Sequence, residues 1–185
     1  MKSIIRTASV LLTAVVMVLV GPVAIAQAGT PARVDDNGVS EQDRKFLRQA
    51  HQSNLAEIQT GKLAQEKGES DEVRELGRLF VKDHSKLDDE LVEAADDLGV
   101  DLPSQPNREQ KAIAEKLEDL AGAEFDDAWV DAQIEMHEEA VALGEKEIKH
   151  GGNDDVIRLA EESARVIKHH LARLRDVEDD HDEKD

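Results

Sequence analysis

The sequence predicts an all-α protein, four long helices packed as a bundle with a short crossover helix between the second and third. Three observations predict it. Four segments carry apolar residues at helical spacing, three of them opened by a cap-forming residue and all closed or followed by a break. No segment sustains the period-two alternation of a half-buried strand. The two prolines of the mature region that interrupt the periodicity, Pro103 and Pro106, fall together between the second and third long segments.

The first 26 residues form a separate element. Lys2 and Arg6 precede an apolar run from Ala8 to Val20, and "GPVAIAQAGT" then supplies small residues for cleavage after Ala26 or Ala28. This is the pattern of a bacterial Sec-type signal peptide, with export to the cell envelope or beyond as its consequence. Gly21 and Pro22 close the run before the roughly 20 apolar residues that a spanning helix needs. Residues 27–40 read as a flexible leader, and residues 41–177 as one bundle domain.

Ser40 stands three positions before Asp43 in a capping arrangement, so the first helix is expected from residue 41 to Lys67, with Gly68 as its terminating glycine. Ser70, Asp71 and Glu72 start a second helix that reaches Leu98 before Gly99. A turn this short forces the pair to lie antiparallel. Beyond Pro106, "NREQKAIAEKLEDLA" is a short amphipathic helix capped by Asn107, which makes the segment a crossover. The third long helix runs from about Ala123 to His150 and stops at Gly151-Gly152. The fourth begins at Asn153 and is expected to end near Val177. The remaining residues, 178–185, are an acidic tail with too little apolar content to fold.

Composition narrows the function classes. There are 42 Asp and Glu against 23 Lys and Arg, a net charge of −19. Such a surface repels nucleic acid and anionic membrane surfaces. Cysteine and tyrosine are absent, which removes disulfides, thiolate metal ligands and the usual radical relay. No motif points to a protein partner.

The chemistry is confined to polar residues on the inward stripes. In the second helix, Val73, Phe80, Leu87 and Leu91 share one face, and His84 projects inside it. Glu57 lies on the stripe of Phe46, Ala50, Gly61 and Ala64 in the first helix; His137, with Gln133 and Gly144, lies in the middle of the third helix's apolar band. His170 falls on the stripe of Val156, Ala160, Ile167, Leu171 and Leu174, whereas His169 points away. Each long helix thus presents one ionisable residue inward, and all four fall in the middle of their helices. Offsets of about four residues, or ~6 Å, are within side-chain reach. Glu57, His84, His137 and His170 are the expected metal ligands, with Asp83 and Gln133 in supporting positions. His51, His150, His169 and His181 read as surface residues.

The segments "NLAEIQTGKLA", "FVKDHSKL", "AQIEMHEEAVALGEKE" and "VIKHHLARL", in this order, resemble the bacterial exported ferritin-like family termed domain of unknown function 4142. The resemblance covers Glu41 to Val177. It implies a ferritin-like four-helix bundle in a family of undefined activity, and by residue it points to Glu57, Asp83, His84, His137 and His170. The Glu-x-x-His pairs of ferritin-like di-iron proteins are missing at the inward histidines, since Val81, Ile134 and Ile167 stand three residues before them. Glu147 and His150 make one such pair, but at a helix end.

Three imidazoles and a carboxylate suit one transition metal ion, Zn, Cu or Fe. The expected function is non-catalytic metal binding. The alternative is a metal-free envelope bundle in which Glu57 pairs with protonated histidine and fixes helix packing. A metal-dependent enzyme would need a substrate cleft, and no lid, glycine-rich loop or nucleophile motif supplies one. Haem is not expected, because no Cys-x-x-Cys-His motif is present and aromatic residues are few.

Overall fold

The computed structural model describes residues 38–182. The signal peptide, most of the leader and the last three residues of the tail lie outside the described residues. Five α-helices account for the elements: α1 (Glu41–Lys67), α2 (Asp71–Asp97), α3 (Arg108–Glu118), α4 (Ala123–His150) and α5 (Asp154–Asp182).

Local chemistry sets the boundaries. Ser40 accepts from the Asp43 amide while the Asp43 side chain accepts from the Ser40 amide, a reciprocal cap that opens α1. Ser70, Asn107 and Asn153 cap α2, α3 and α5 through side-chain oxygens. At the end of α2, Gly99 adopts φ +65°. Its amide bonds the Asp96 carbonyl and that of Val100 the Ala95 carbonyl, the paired bonds of a left-handed helix stop.

Three expectations are corrected. Gly68 ends α1 in an extended conformation (φ −54°, ψ 131°), so its glycine is not required by a left-handed backbone. It is required by space, because a Cβ there would meet the Ala64 carbonyl oxygen at 2.6 Å. The last helix does not stop at Val177: α5 continues to Asp182 and takes in much of the expected tail. The leader's final residues are also ordered into the fold, with Val39 buried among Phe46, Leu47 and Val156.

α1 packs against α2, α4 against α5, and α1 against α4. Cross-helix pairs give the directions. His51 meets Asp88 and Asn54 meets His84, so α1 and α2 are antiparallel. Gln42 meets Glu147 and Thr60 meets Gln133, which makes α4 antiparallel to α1. α5 reverses again, with Lys168 on Glu145 and Arg175 on Glu138. α2 and α4 therefore point the same way, and the segment joining them must travel their length. It does so along α1, held by Arg48 on the Asp101 carbonyl, Gln52 on the Gln105 carbonyl and Lys67 on those of Glu118 and Leu120.

Two buried aspartates fasten the turns. Asp126 in the first turn of α4 accepts from the Glu69 and Ser70 amides of the α1–α2 turn, at 2.9 and 2.8 Å. Asp43 in the first turn of α1 accepts from the Gly152 and Asn153 amides of the α4–α5 turn, at 2.8 and 3.3 Å. Apolar residues divide into two clusters. One gathers Phe80, Phe125, Trp129 and Leu174, the other Phe46, Leu47, Leu91 and Val156. The inward polar residues lie between them along every long helix.

Candidate metal centre

His84 from α2, His137 from α4 and His170 from α5 come together with at most 2% of each exposed. One ligand nitrogen from each lies within 4.8 Å of the other two, and ring centroids are 5.4 to 5.5 Å apart. Phe80 forms one wall, with its ring centroid 4.9 Å from His137 and 4.6 Å from His170.

Each imidazole is held from behind. His84 Nδ1 lies 3.0 Å from Asn54 Oδ1, His137 Nδ1 lies 2.8 Å from the Gln133 carbonyl oxygen, and His170 Nε2 lies 3.0 Å from Asp83 Oδ2. A carbonyl and a carboxylate oxygen only accept. The same holds for Asn54 Oδ1, whose own amide NH2 faces Asp88 Oδ1 at 3.4 Å. The proton of each neutral imidazole therefore sits on the anchored nitrogen. The other nitrogens, His84 Nε2, His137 Nε2 and His170 Nδ1, carry lone pairs. His84 Nε2 is buried without a partner, and His137 Nε2 and His170 Nδ1 face each other at 3.4 Å with no hydrogen to share.

Electrostatics keeps the site neutral. Burial lowers the pKa of His84 well below its ordinary value, reinforced by His137 and His170. Burial, then repulsion from His170, pushes His137 down to about 3 against the opposing bond to Gln133. Burial also lowers His170, with Asp83 opposing. Glu57 is driven the other way, well up, by burial alone. Its Oε1 lies 3.4 Å from His137 Nδ1, the anchored nitrogen, and its Oε2 has no hydrogen-bond partner. Three neutral nitrogen donors within 4.8 Å of one another are a donor set of the kind transition metal cations take.

The residues expected from the sequence are thus distributed as follows. The three histidines converge, while Glu57 stands beside His137 and outside the group of converging ligand atoms. Asp83 holds His170. Gln133 supports His137 through its main-chain carbonyl, and its side chain donates to Thr60 Oγ1 at 2.9 Å. Asn54 was missed, although it occupies the same helical stripe as Ala50, Glu57 and Gly61. His51, expected at the surface, is buried, and its Nδ1 lies 2.7 Å from Asp88 Oδ1, the oxygen that also orients Asn54. His150 and His169 are exposed as expected. Glu147 is fully buried beside Asp43, with burial and that carboxylate raising its pKa to about 7. A surface groove of about 410 Å³ lies between α2 and α5 among Glu90, Glu93, Asp97 and Glu162, and none of the three histidines lines it.

No curated protein matches the chain. Its fold is similar to that of a DUF305 fragment from Deinococcus radiodurans, with TM-score 0.67 and 15% identity over 80% of this chain and 97% of that one. It is likewise similar to a DUF305 protein from Streptomyces coelicolor that is designated as secreted, with TM-score 0.63 and 15% identity over 74% of this chain and 91% of that one. At such identity these likenesses concern the fold alone. A family model for a domain of unknown function, DUF4142, matches residues 28–177, most of the chain, and the protein belongs to that family.

Proposed function

We propose that the protein is an exported, ferritin-like four-helix bundle that binds one transition metal ion, Zn, Cu or Fe, without catalysis. His84, His137 and His170 are the ligands and Glu57 is the adjoining carboxylate. One observation carries this reading: every histidine of the trio has one ring nitrogen anchored on an acceptor, and of the nitrogens left over His84 Nε2 is buried without a partner while His137 Nε2 and His170 Nδ1 stand 3.4 Å apart. Metal-binding histidines are supported in this way, whereas neighbouring lone pairs without a cation repel.

The metal-free alternative needs an ionised Glu57 against a protonated imidazole. Burial moves both groups away from those charges, which counts against that pairing. A ferritin-like architecture is supported by the single long crossover between parallel α2 and α4. Export is supported by the signal-peptide pattern and by the secreted designation of the Streptomyces neighbour. No helix among the described residues is long and apolar enough to cross a membrane.

The test is thermal melting of the purified mature chain, free of chelating tags, with one equivalent of Zn(II), Cu(II) or anaerobic Fe(II). At least one metal should raise the Tm by mass action, and His84→Ala, His137→Ala and His170→Ala should each abolish the rise. Melts that coincide with and without all three metals, or a rise that survives in the three variants, would refute a histidine site.

A further inference from the structure

Beside His84 and His137 lies a cavity of about 30 Å³. His84, His137, Asn54 and Glu57 contribute to its wall, and Gly144 and Ala164 face them from α4 and α5. Space of this size exceeds the roughly 10–15 Å³ that one water molecule needs. Two polar atoms of its lining residues, Glu57 Oε2 and His84 Nε2, are buried and have no hydrogen-bond partner. Buried polar atoms are normally satisfied; in the reading above the metal takes His84 Nε2, which leaves Glu57 Oε2 as the open atom that calls for an occupant.

Gly144 shows how the space is maintained. Glycine is a poor helix former, and Gly144 stands in the interior of α4 with no positive φ. A Cβ there would meet nothing closer than 3.9 Å. Gly61 and Gly77, which also lie within helices, have a different reason. A Cβ on Gly77 would lie 2.7 Å from both the Gly61 carbonyl oxygen and Ala64 Cβ, so close contact of α1 and α2 requires those glycines. At position 144 neither backbone conformation nor helix contact requires one. What the missing side chain provides is volume at the Gly144 wall of the cavity, beside Ala164 and about two helical turns from His137, which lines the same space.

We infer that this cavity is the binding position of a small exogenous ligand, water or a species of two or three atoms, coordinated to the metal on the side left open by the three histidines and hydrogen-bonded to Glu57. This rests on the metal reading above. Three protein ligands leave a coordination position free, and the cavity limits what fills it to ligands that have a donor atom at one end and little bulk.

Azide is the probe. The mature chain is loaded with Cu(II), and the histidine-bound metal is recorded by its absorption before azide is added. Azide should then add a charge-transfer band that saturates. Gly144→Val, which fills the cavity, should keep the metal spectrum and weaken azide binding by at least about tenfold. Gly144→Ala, whose Cβ fits without contact closer than 3.9 Å, serves as the variant certain to find room and should weaken azide binding to a lesser degree. A metal-loaded wild type whose spectrum ignores azide overturns the inference and leaves the metal site standing. Azide binding unchanged in both Gly144 variants also overturns it, since the ligand would then sit elsewhere. Absence of the metal spectrum before any azide is added refutes the metal reading itself and the inference with it.

Discussion

Glu147→Gln should make the protein more stable at alkaline pH and change its stability little in acid. Glu147 is buried at the α1 end of α4, where Gln42 donates to its Oε2 at 2.9 Å and the Asp43 carboxylate, already holding three backbone amides, stands against it. The pair can share one proton, and Glu147 holds it, because burial first and Asp43 second raise its pKa from 4.5 to about 7. A carboxyl with a raised folded-state pKa contributes stability that is complete below 4.5 and is lost as pH rises to about 7. Over that interval the folded state binds the additional proton. The whole interval corresponds to roughly 3 kcal/mol, of which about 2.5 kcal/mol falls between pH 5 and pH 8.5. Glutamine has nearly the same shape, keeps a donor for Asp43 at every pH and removes the titration. Urea unfolding at pH 5 and pH 8.5 should therefore show the gap between variant and wild type shift in favour of the variant by up to about 2.5 kcal/mol. A gap that is equal at the two pH values, or that shifts the other way, would refute proton sharing between Glu147 and Asp43.

Three further outcomes are expected. His84→Leu should abolish the metal-induced rise in Tm and also cost about 1–3 kcal/mol in urea unfolding, because it leaves Asn54 Oδ1 buried without its donor; equal stability would show that the Asn54 bond is worth nothing. His137 contributes, as a neutral group, stability that is complete above 6.5 and is lost as pH falls toward about 3. The stability advantage of wild type over His137→Gln should shrink by about 2 kcal/mol between pH 7 and pH 5, and a constant difference would contradict neutral burial. Gly77→Ala should destabilise by about 2 kcal/mol or more in the same assay, since its Cβ would press on the Gly61 backbone. An unchanged unfolding midpoint would show that α1 and α2 can separate without cost.

Helix boundaries were legible because their signals are local. Ser40 with Asp43, Ser70, Asn107 and the Gly151-Gly152 break act within a few residues of themselves, and the structure places helix ends beside each. The inward histidines were legible for a similar reason, since helical phase depends on near neighbours. Partners across helices were not. Asp126 reads as an ordinary acidic first-turn residue, yet its two acceptor bonds reach the α1–α2 turn, far away in sequence. Glu147 was read as half of an unused Glu-x-x-His pair, and nothing near it in sequence shows that Asp43 would cover it. Asn54 is the instructive omission, because its stripe position was available. It went unread because an amide is neither apolar nor a usual metal ligand, and its importance comes from the imidazole opposite it. The tail beyond Val177 was misjudged on composition, although a helix already propagating can extend through charged residues without burying them.

The two turn-holding aspartates make the molecule a mutual clasp. Asp43 and Asp126 occupy corresponding positions in the α1–α2 and α4–α5 hairpins, as do Gly61 and Gly144, and Gly68 and Gly151, so the halves repeat one plan at one spacing. In each half the carboxylate at the entrance of the first helix closes the hairpin of the other. Neither turn has its amides satisfied until the opposite half has arrived, which ties completion of each half to their union. The histidines are divided along the same seam, His84 in one half and His137 and His170 in the other. A cation held by all three would be a third fastening across that seam, at mid-height where the aspartates do not reach, and its departure would leave the halves joined at their ends alone.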